Sequence, residues 1–323
     1  MPIPEITIRP ATEADVESVR DLPSLLVDRW RNGGNRRSLV AVRDGLVIGH
    51  ARGIDNAFHP RSRVLVIEVL PQHRRQGVGT ALLAAQQQVS RLPLELKLYA
   101  SMTGARALAQ RFGGVAIQAT PPWRYAITPR LRAWAAAHSG TAGPTGPGDG
   151  PELLELEIRH YLDQHASWSP ADGGALREEF AANYEPGSPS AYDPKLSTVL
   201  RRDGRIVAAA LVWPYDSELG GNEVSLICRQ HGSSGGRADM EACLAETIAR
   251  CGDDIMLLID SHVTQAVESA MLRDLPGPSP DDGDGWMVIV AIPVPGGPAP
   301  IAMPSGLLPP EARWITDEFV HHD

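Results

Sequence analysis

The chain reads as an α/β protein, of the α+β kind, built from two tandem copies of one α/β unit. Three observations predict this. Its 323 residues exceed one small domain. Apolar runs of strand length alternate with stretches whose apolar residues recur at helical spacing. One turn also occurs twice, as Arg43-Asp44-Gly45 and Arg202-Asp203-Gly204, and similar elements follow it in the same order each time.

In the first half, "ITIRPA" is a strand by its β-branched residues. "TEADVESVRDL" opens with Thr12 as an N-cap and Asp15 three residues on, a helix start. "SLVAVRDGLVIGHARG" is a hairpin with Asp44-Gly45 at its turn, and "VLVIEV" is a buried strand. "GTALLAAQQQVSRL" has helical periodicity, "LELKLYA" alternates as a strand, and "GARALAQRFGG" is a short helix ended by glycine. "VAIQA" and "WRYAIT" read as closing strands of this half.

An offset of 159 residues carries the first hairpin onto "STVLRRDGRIVAAALVW". The same offset takes Ile67-Glu68-Val69 to Leu226-Ile227-Cys228 and Thr80 to Asp239, at the start of the helical stretch "DMEACLAETIARC". It also brings "LELKLYA" close to "DIMLLID". Three elements aligned in order by one ungapped offset indicate duplication. Between the copies, "HSGTAGPTGPGDGP" is rich in Gly, Pro, Ser and Thr and reads as a linker. The expected domains are therefore residues 1–137, a linker at 138–151, and residues 152–323. The Pro/Gly-rich "IPVPGGPAPIAMPSGLLPP" reads as a tail lying over the surface.

The net charge of −9 is unevenly spread. Residues 1–150 hold 19 Lys and Arg against 11 Asp and Glu, and residues 151–323 hold 11 against 28. A basic half suits a polyanionic ligand and an acidic half suits a cation; equally, the two halves attract each other. Cys228, Cys243 and Cys251 are odd in number and lack metal-ligand spacing, which fits a reduced, cytoplasmic setting. The opening "MPIPEITIRP" is not a signal peptide, and no apolar run is long enough to span a bilayer. No membrane, nucleic-acid or metal partner is expected.

The chemistry concentrates in "VLPQHRRQGVGTALLA", residues 69–84, where a strand meets a helix through two arginines and two glycines. A glycine-bearing turn at a helix start exposes backbone N–H groups that favour an anion, and the helix dipole adds to this. Gly77 and Gly79 permit close approach of a phosphate to the backbone, and Arg74 and Arg75 supply charge-assisted donors. No Lys-Ser/Thr pair follows the glycines, so this is not a Walker loop.

Val69-x-Pro71, Arg74-x-x-Gly77-x-Gly79 and Leu82-Leu83, in this order of elements, resemble the acetyl-CoA loop and fold of the GNAT superfamily of N-acetyltransferases, over nearly all of residues 5–130. The resemblance implies two tandem GNAT-like domains. Each would have a mixed, mostly antiparallel central sheet flanked by helices, with a V-shaped splay between the fourth and fifth strands. Acetyl-CoA, or another acyl-CoA, would be a co-substrate. Its pyrophosphate would sit on the backbone of Arg74, Arg75, Gln76, Gly77, Val78, Gly79 and Thr80. Backbone at Val69 and Leu70 would bond the pantetheine and polarise the thioester. The acceptor would be a small-molecule amine, cationic in character; two-domain members include small-molecule acetyltransferases of bacterial secondary metabolism.

The chain departs from the family at its acid and base. Arg63 stands where many members carry a glutamate, and Met102 and Ala109 stand where an Asn and a Tyr are usual. Glu68 is the carboxylate on the strand and the candidate base, with its side chain facing away from that of Val69; a carboxylate paired with an arginine is the equal alternative. Tyr99, Ser101 and Tyr125 are stand-ins for the acid, each with a structural role as the simpler expectation. A CoA-binding module without transferase activity is the rival function.

The second copy reads as degenerate for CoA. Arg74 to Gly79 become Ser233-Ser234-Gly235-Gly236-Arg237-Ala238, without the two arginines. Gly232-x-Ser234-x-Gly236 also fits a hydrolase elbow, with Asp260 and His262 downstream, a remote alternative because too few parallel strands precede it. His262, His321 and His322 read as solvated histidines, and Asp281, Asp282 and Asp284 as a turn.

Overall fold

In a computed structural model, residues 5–19, 22, 36–56, 58–277, 285–304 and 306–320 are described. Asp281, Asp282, Asp284, His321 and His322 fall outside them. The chain forms two compact units. Unit 1 comprises residues 1–117, 288–303 and 315–323; unit 2 comprises 118–287 and 304–314.

Unit 1 is built on a seven-stranded sheet of order β1-β2-β3-β4-β5-β13-β6. Its strands are β1 (Thr7–Pro10), β2 (Arg36–Arg43), β3 (Leu46–Asp55), β4 (Arg63–Val69), β5 (Leu94–Tyr99), β6 (Val115–Thr120) and β13 (Met287–Ile292). β1 to β4 pair antiparallel in succession, and β4 meets β5 in parallel. Helix α1 (Glu13–Ser18) begins as the Thr12/Asp15 pair predicts: the Asp15 carboxylate accepts from Thr12 N and Oγ1 at 2.7 and 2.8 Å. Bonds from Arg9 and Thr12 outweigh its desolvation and hold that carboxyl at about 2.

Helix α2 (Val78–Val89) packs on β3 with almost no space between. A Cβ at Gly49 would come within 3.0 Å of Val78, and one at Gly53 within 2.7 Å of the Gln86 amide. The glycines of "IGHARG" are therefore a packing requirement. Leu82 and Leu83 are fully buried beneath α2, each contributing roughly 1.5–3 kcal/mol by leaving water. α3 (Thr103–Arg111) ends at Gly113, whose φ of +69° lets Gly114 N donate back to Ala109 O at 2.9 Å.

Unit 2 repeats the plan. Its sheet has the order β7-β12-β11-β10-β9-β8. These strands are β7 (Trp123–Ala126), β8 (Gly143–Pro144), β9 (Thr198–Arg202), β10 (Arg205–Asp216), β11 (Gly221–Cys228) and β12 (Met256–Ile259). β8 to β11 pair antiparallel and β11 meets β12 in parallel, which reproduces the succession β1 to β5. The two Asp-Gly turns match in backbone detail. Asp44 and Asp203 both have φ of +51°, and Gly45 and Gly204 follow at +79° and +75°. Helix α7 (Ser234–Arg250) covers one face through Met240, Cys243, Leu244 and Ile248, against Ala208, Ala210 and Val212. Helix α5 (Gly150–His165) covers the other through Leu153 and Leu156, against Ala209 and Leu211. The alternation along β10 sends its neighbours to opposite cores.

The compact units divide elsewhere than at residues 138–151. β7, read as a closing strand of the first half, pairs antiparallel with β12 and belongs to the second sheet. β13, from the far end of the chain, stands between β5 and β6 in the first. Each sheet thus takes one strand from the other half of the chain. The linker reading also gives way. Gly143–Pro144 pairs with β9, the Asp149 carboxylate accepts from Gly146 N and from Arg201, and Gly150 starts α5. Glycine is required there because a Cβ on residue 150 would meet Tyr184 O at 2.6 Å. α4 (Pro129–His138), whose Thr128 cap accepts from Leu131 N, precedes this stretch. The Pro-rich tail is anchored too: Met303 N donates to Ala116 O, and α9 (Arg313–Phe319) buries Ile315 and Phe319 completely.

Candidate functional site

The site begins where β4 and β5 part. Their parallel register pairs Arg63 with Leu94 and Val64 with Glu95, and among the described residues it extends no further. β4 nevertheless runs on to Val69 and β5 to Tyr99. Arg63, at the position usual for a glutamate, is buried at the strand entry and donates from Nε to Asp55 at 2.6 Å. At the other end, Leu70 N donates to Ile48 O on β3 at 3.0 Å. Successive N–H groups of a strand leave opposite edges, so Val69's N–H and C=O project from the edge β5 has left. Arg74 confirms the direction, because its Nε donates to Val69 O at 2.9 Å. Leu70 C=O also accepts from His73 N at 2.8 Å, so both its backbone groups are engaged and its side chain is what remains to line a wall.

A short 3-10 turn, Pro71–His73, carries the chain from β4 into the arginines. Arg75 has φ of +61° and Gly77 of +84°, and these two left-handed residues swing the backbone onto the start of α2. For Arg75 that conformation is strained, a feature that clusters at binding loops. Gly77 is needed for its conformation, since a Cβ there would meet nothing within 4 Å. A Cβ at Gly79 would meet Leu108 and Val69 at ordinary contact distance, 3.6 and 4.0 Å. Arg74, Arg75, Gln76 and Gly77 are exposed, Val78 is buried, and Gly79 and Thr80 are half-buried at the helix start.

Sequence reasoning overlooked a third arginine. Arg43, last residue of β2, donates from Nη1 to Gln76 Oε1 at 2.5 Å, and Gln76 is steadied by its own bond to Gln72 O. Among the described residues, Arg43 Nε and Nη2 are buried without a partner. Buried guanidinium donors of this kind suit an oxyanion. The signal was the repeated Arg-Asp-Gly turn itself, which served to detect duplication and not to find ligands.

The candidate base lies on the other face of the sheet. Gly49 and Val69 face α2, so Glu68 faces away, opposite His50 in the β3–β4 register. Because Val64 is level with Glu95, the same face carries Glu95 and Tyr99. Burial, then the charge of Arg52, pulls His50 down to about 4, which leaves it neutral at ordinary pH. Burial holds the Glu95 carboxyl above the usual range, against Ser62 and Lys97. Glu95 was not picked out from sequence, although "LELKLY" alternates visibly. Of the acid candidates, Tyr99 borders the open edge and Ser101 is exposed. Tyr125 lies in the core of unit 2, where its hydroxyl donates to Leu272 O at 2.7 Å. Ala109 is buried and Met102 exposed.

The equivalent loop of unit 2 is closed on itself. Ser233 Oγ accepts from Gly236 N at 3.0 Å and donates to Gln230 O at 2.8 Å. A Cβ at Gly236 would meet Gln230 O at 2.1 Å, so that glycine serves packing. Arg237 is paired with Glu241 and Asp274. Arg202, the counterpart of Arg43, grips Asp239 with both Nη atoms. Asp239 is the counterpart of Thr80, so a built-in carboxylate occupies the arginine that remains. Ser234 is exposed on the first helical turn, while His262 is buried against the rings of His165 and Trp168. His262 is thus a packed histidine and not a solvated one.

Comparison with known proteins agrees with this geometry. Residues 7–114 match the model of the Acetyltransferase (GNAT) family. A mycothiol acetyltransferase of Thermomonospora curvata is 28% identical over 180 residues, which take in 54% of this chain and 56% of that protein. A GCN5-related N-acetyltransferase from Sphaerobacter thermophilus superposes with a TM-score of 0.55 at 14% identity, covering 92% of this chain and 98% of that one. A tandem GNAT protein from the clavulanic acid biosynthesis pathway gives 0.53 at 15% identity, over 91% of this chain and all (100%) of its own. The fold is therefore that of GNAT proteins, in a tandem arrangement. Among the described residues, no helix is long and apolar enough to cross a membrane, and no group of three or more His, Cys, Asp or Glu is placed to hold a metal ion.

Proposed function

We propose that this GNAT-related acyltransferase moves an acyl group, acetyl in the simplest case, from acyl-CoA to the primary amine of a small molecule. The observation that carries the reading is the turn Arg74–Thr80, folded by left-handed Arg75 and Gly77 beside the open edge of β4. In this reading the pyrophosphate lies on the amides from Arg74 to Thr80. Arg74, Arg75 and Arg43 donate to its oxygens, and Gln76 orients Arg43. The pantetheine runs into the V-shaped opening between β4 and β5. Val69 N–H, on the free edge, polarises the thioester carbonyl as an oxyanion donor does.

The amine nitrogen attacks the carbonyl carbon, the C–S bond breaks, and the CoA thiolate departs. A primary amine has a pKa of about 10 and must first lose a proton. Glu68, on the face away from α2, is the group we assign to that task. A thiol of pKa about 8.5 is a fair leaving group, which makes the lost tyrosine tolerable. The acidic bias of residues 151–323 favours a cationic acceptor. A neighbour in fold comes from the clavulanic acid biosynthesis pathway, and a secondary-metabolite amine is the acceptor class we favour.

The test follows thioester consumption with acetyl-CoA across a panel of primary amines, using the native chain and Glu68→Gln. Turnover with at least one cationic amine is expected, with kcat in the variant lower by about 100-fold. The absence of turnover with every amine, alongside retained CoA binding, would instead establish the binding module that Met102 and Ala109 suggest.

A further inference from the structure

Unit 2 contains a cavity of its own, about 270 Å³, at the point where its central strands part. Among the described residues β11 and β12 pair only from Asn222–Leu257 to Val224–Ile259, and β11 then runs on to Cys228 paired with β10 but not with β12. The cavity lies beyond, between α5, the loop at His231 and Gly232, and the first turn of α8 (Ala266–Asp274). Its polar lining includes two carboxyls, Asp163 and Glu268, with Gln164, Gln265 and the imidazole of His231, and no lysine or arginine takes part. Met240 and Val267 supply apolar wall.

Glu268 is the informative residue. It is only 4% exposed, yet it lines the cavity. Its Oε2 accepts from Gln265 Nε2 at 2.5 Å, while Oε1 is buried with no partner among the described residues. A buried acceptor without a donor costs stability, and a ligand that donates a hydrogen bond removes that cost. Asp163, exposed at the mouth, offers a second carboxylate on the path in.

We propose that this cavity binds a small aliphatic amine in its ammonium form, with the N–H groups on Glu268 Oε1, the alkyl stem along Met240 and Val267, and Asp163 attracting the charge at the entrance. Two carboxyls, with no lysine or arginine among the lining residues, favour a cation over an anion. Burial and the neighbouring Asp260 keep the empty Glu268 carboxyl well above the usual range. The first turn of α8 is also where a carboxylate is the favoured charge, so an arriving ammonium and the helix dipole both act to ionise it. An acyl-CoA pyrophosphate would find no such welcome, since the loop beside the cavity has bonded its own amide and arginines internally.

The inference rests on unit 2 alone and does not require acyl transfer. Its test is calorimetry on the full chain without acyl-CoA, so its failure and that of the transferase reading are distinguishable. Cadaverine is the probe and pentanediol, its neutral analogue, is the control. Cadaverine is expected to bind and the diol not. Glu268→Gln should weaken cadaverine by at least about tenfold, the loss of one charge-assisted hydrogen bond. Asp163→Asn, on the exposed surface where folding is not at risk, should weaken it about threefold. The proposal is overturned if cadaverine does not bind at millimolar concentration, if the diol binds equally well, or if both variants bind cadaverine like the native chain.

Discussion

Arg43 and Arg202 occupy the same place in the two copies of one turn, and their different partners mark the difference between the two loops. Arg202 holds Asp239 through two bonds, so its charge is answered from within the protein. Among the described residues Arg43 meets the amide oxygen of Gln76 alone, and two of its buried nitrogens lack acceptors. A phosphate supplies what those donors lack. Arg43→Ala should therefore raise the Kd for acetyl-CoA by about tenfold, and Arg74→Ala by a similar factor, as measured by calorimetry. Arg202→Ala should leave it unchanged. Equal affinity in the native and Arg43→Ala chains would remove Arg43 from the site. The glycines were legible as a turn needing left-handed backbone, seen at Gly77, because backbone freedom is a local property. Arg43 was not, because it comes within bonding distance of Gln76 only through the pairing of β2 with β3 and β3 with β4.

At the scale of elements, strands and helices could be read well from alternation and periodicity, and partnerships could not. "MVIVAI" is apolar at every position, which announces a buried strand and says nothing of the sheet that receives it. Its place between β5 and β6 means that unit 1 cannot close its sheet without the end of the chain. Val288 and Val290 are fully buried there. A chain truncated after Gly277 should accordingly lose cooperative unfolding of unit 1 and its affinity for acetyl-CoA, followed by thermal denaturation and calorimetry. Native-like CoA binding by the truncated chain would count against a structural role for the donated strand. The same limit explains β7: "WRYA" has clear alternation, but the residues it must meet, Met256 to Ile259, lie in the other half of the sequence.

For the whole molecule, duplication without equivalence is the main conclusion. Both units keep the turn geometry, the antiparallel succession and the parallel step after it. One loop is left open with exposed arginines, while the other is bonded to itself. Native mass spectrometry of the chain with saturating acetyl-CoA should show one molecule bound per chain. A second bound with comparable affinity would show that the Ser233 cap and the Arg202–Asp239 pair do not close the second loop.

The sequence by itself determined the fold class, the doubling, and the position of the arginine- and glycine-bearing turn between β4 and α2. These depend on backbone permissiveness, side-chain period and an ungapped repeat, all of which are written in neighbouring residues. Only the tertiary structure decided which strand closes which sheet, that Arg43 joins the loop, that Tyr125 belongs to another core, and that Glu268 lines a cavity with one oxygen unanswered. Those facts depend on contacts between residues far apart along the chain, and a burial pattern records that a residue is covered without recording what covers it.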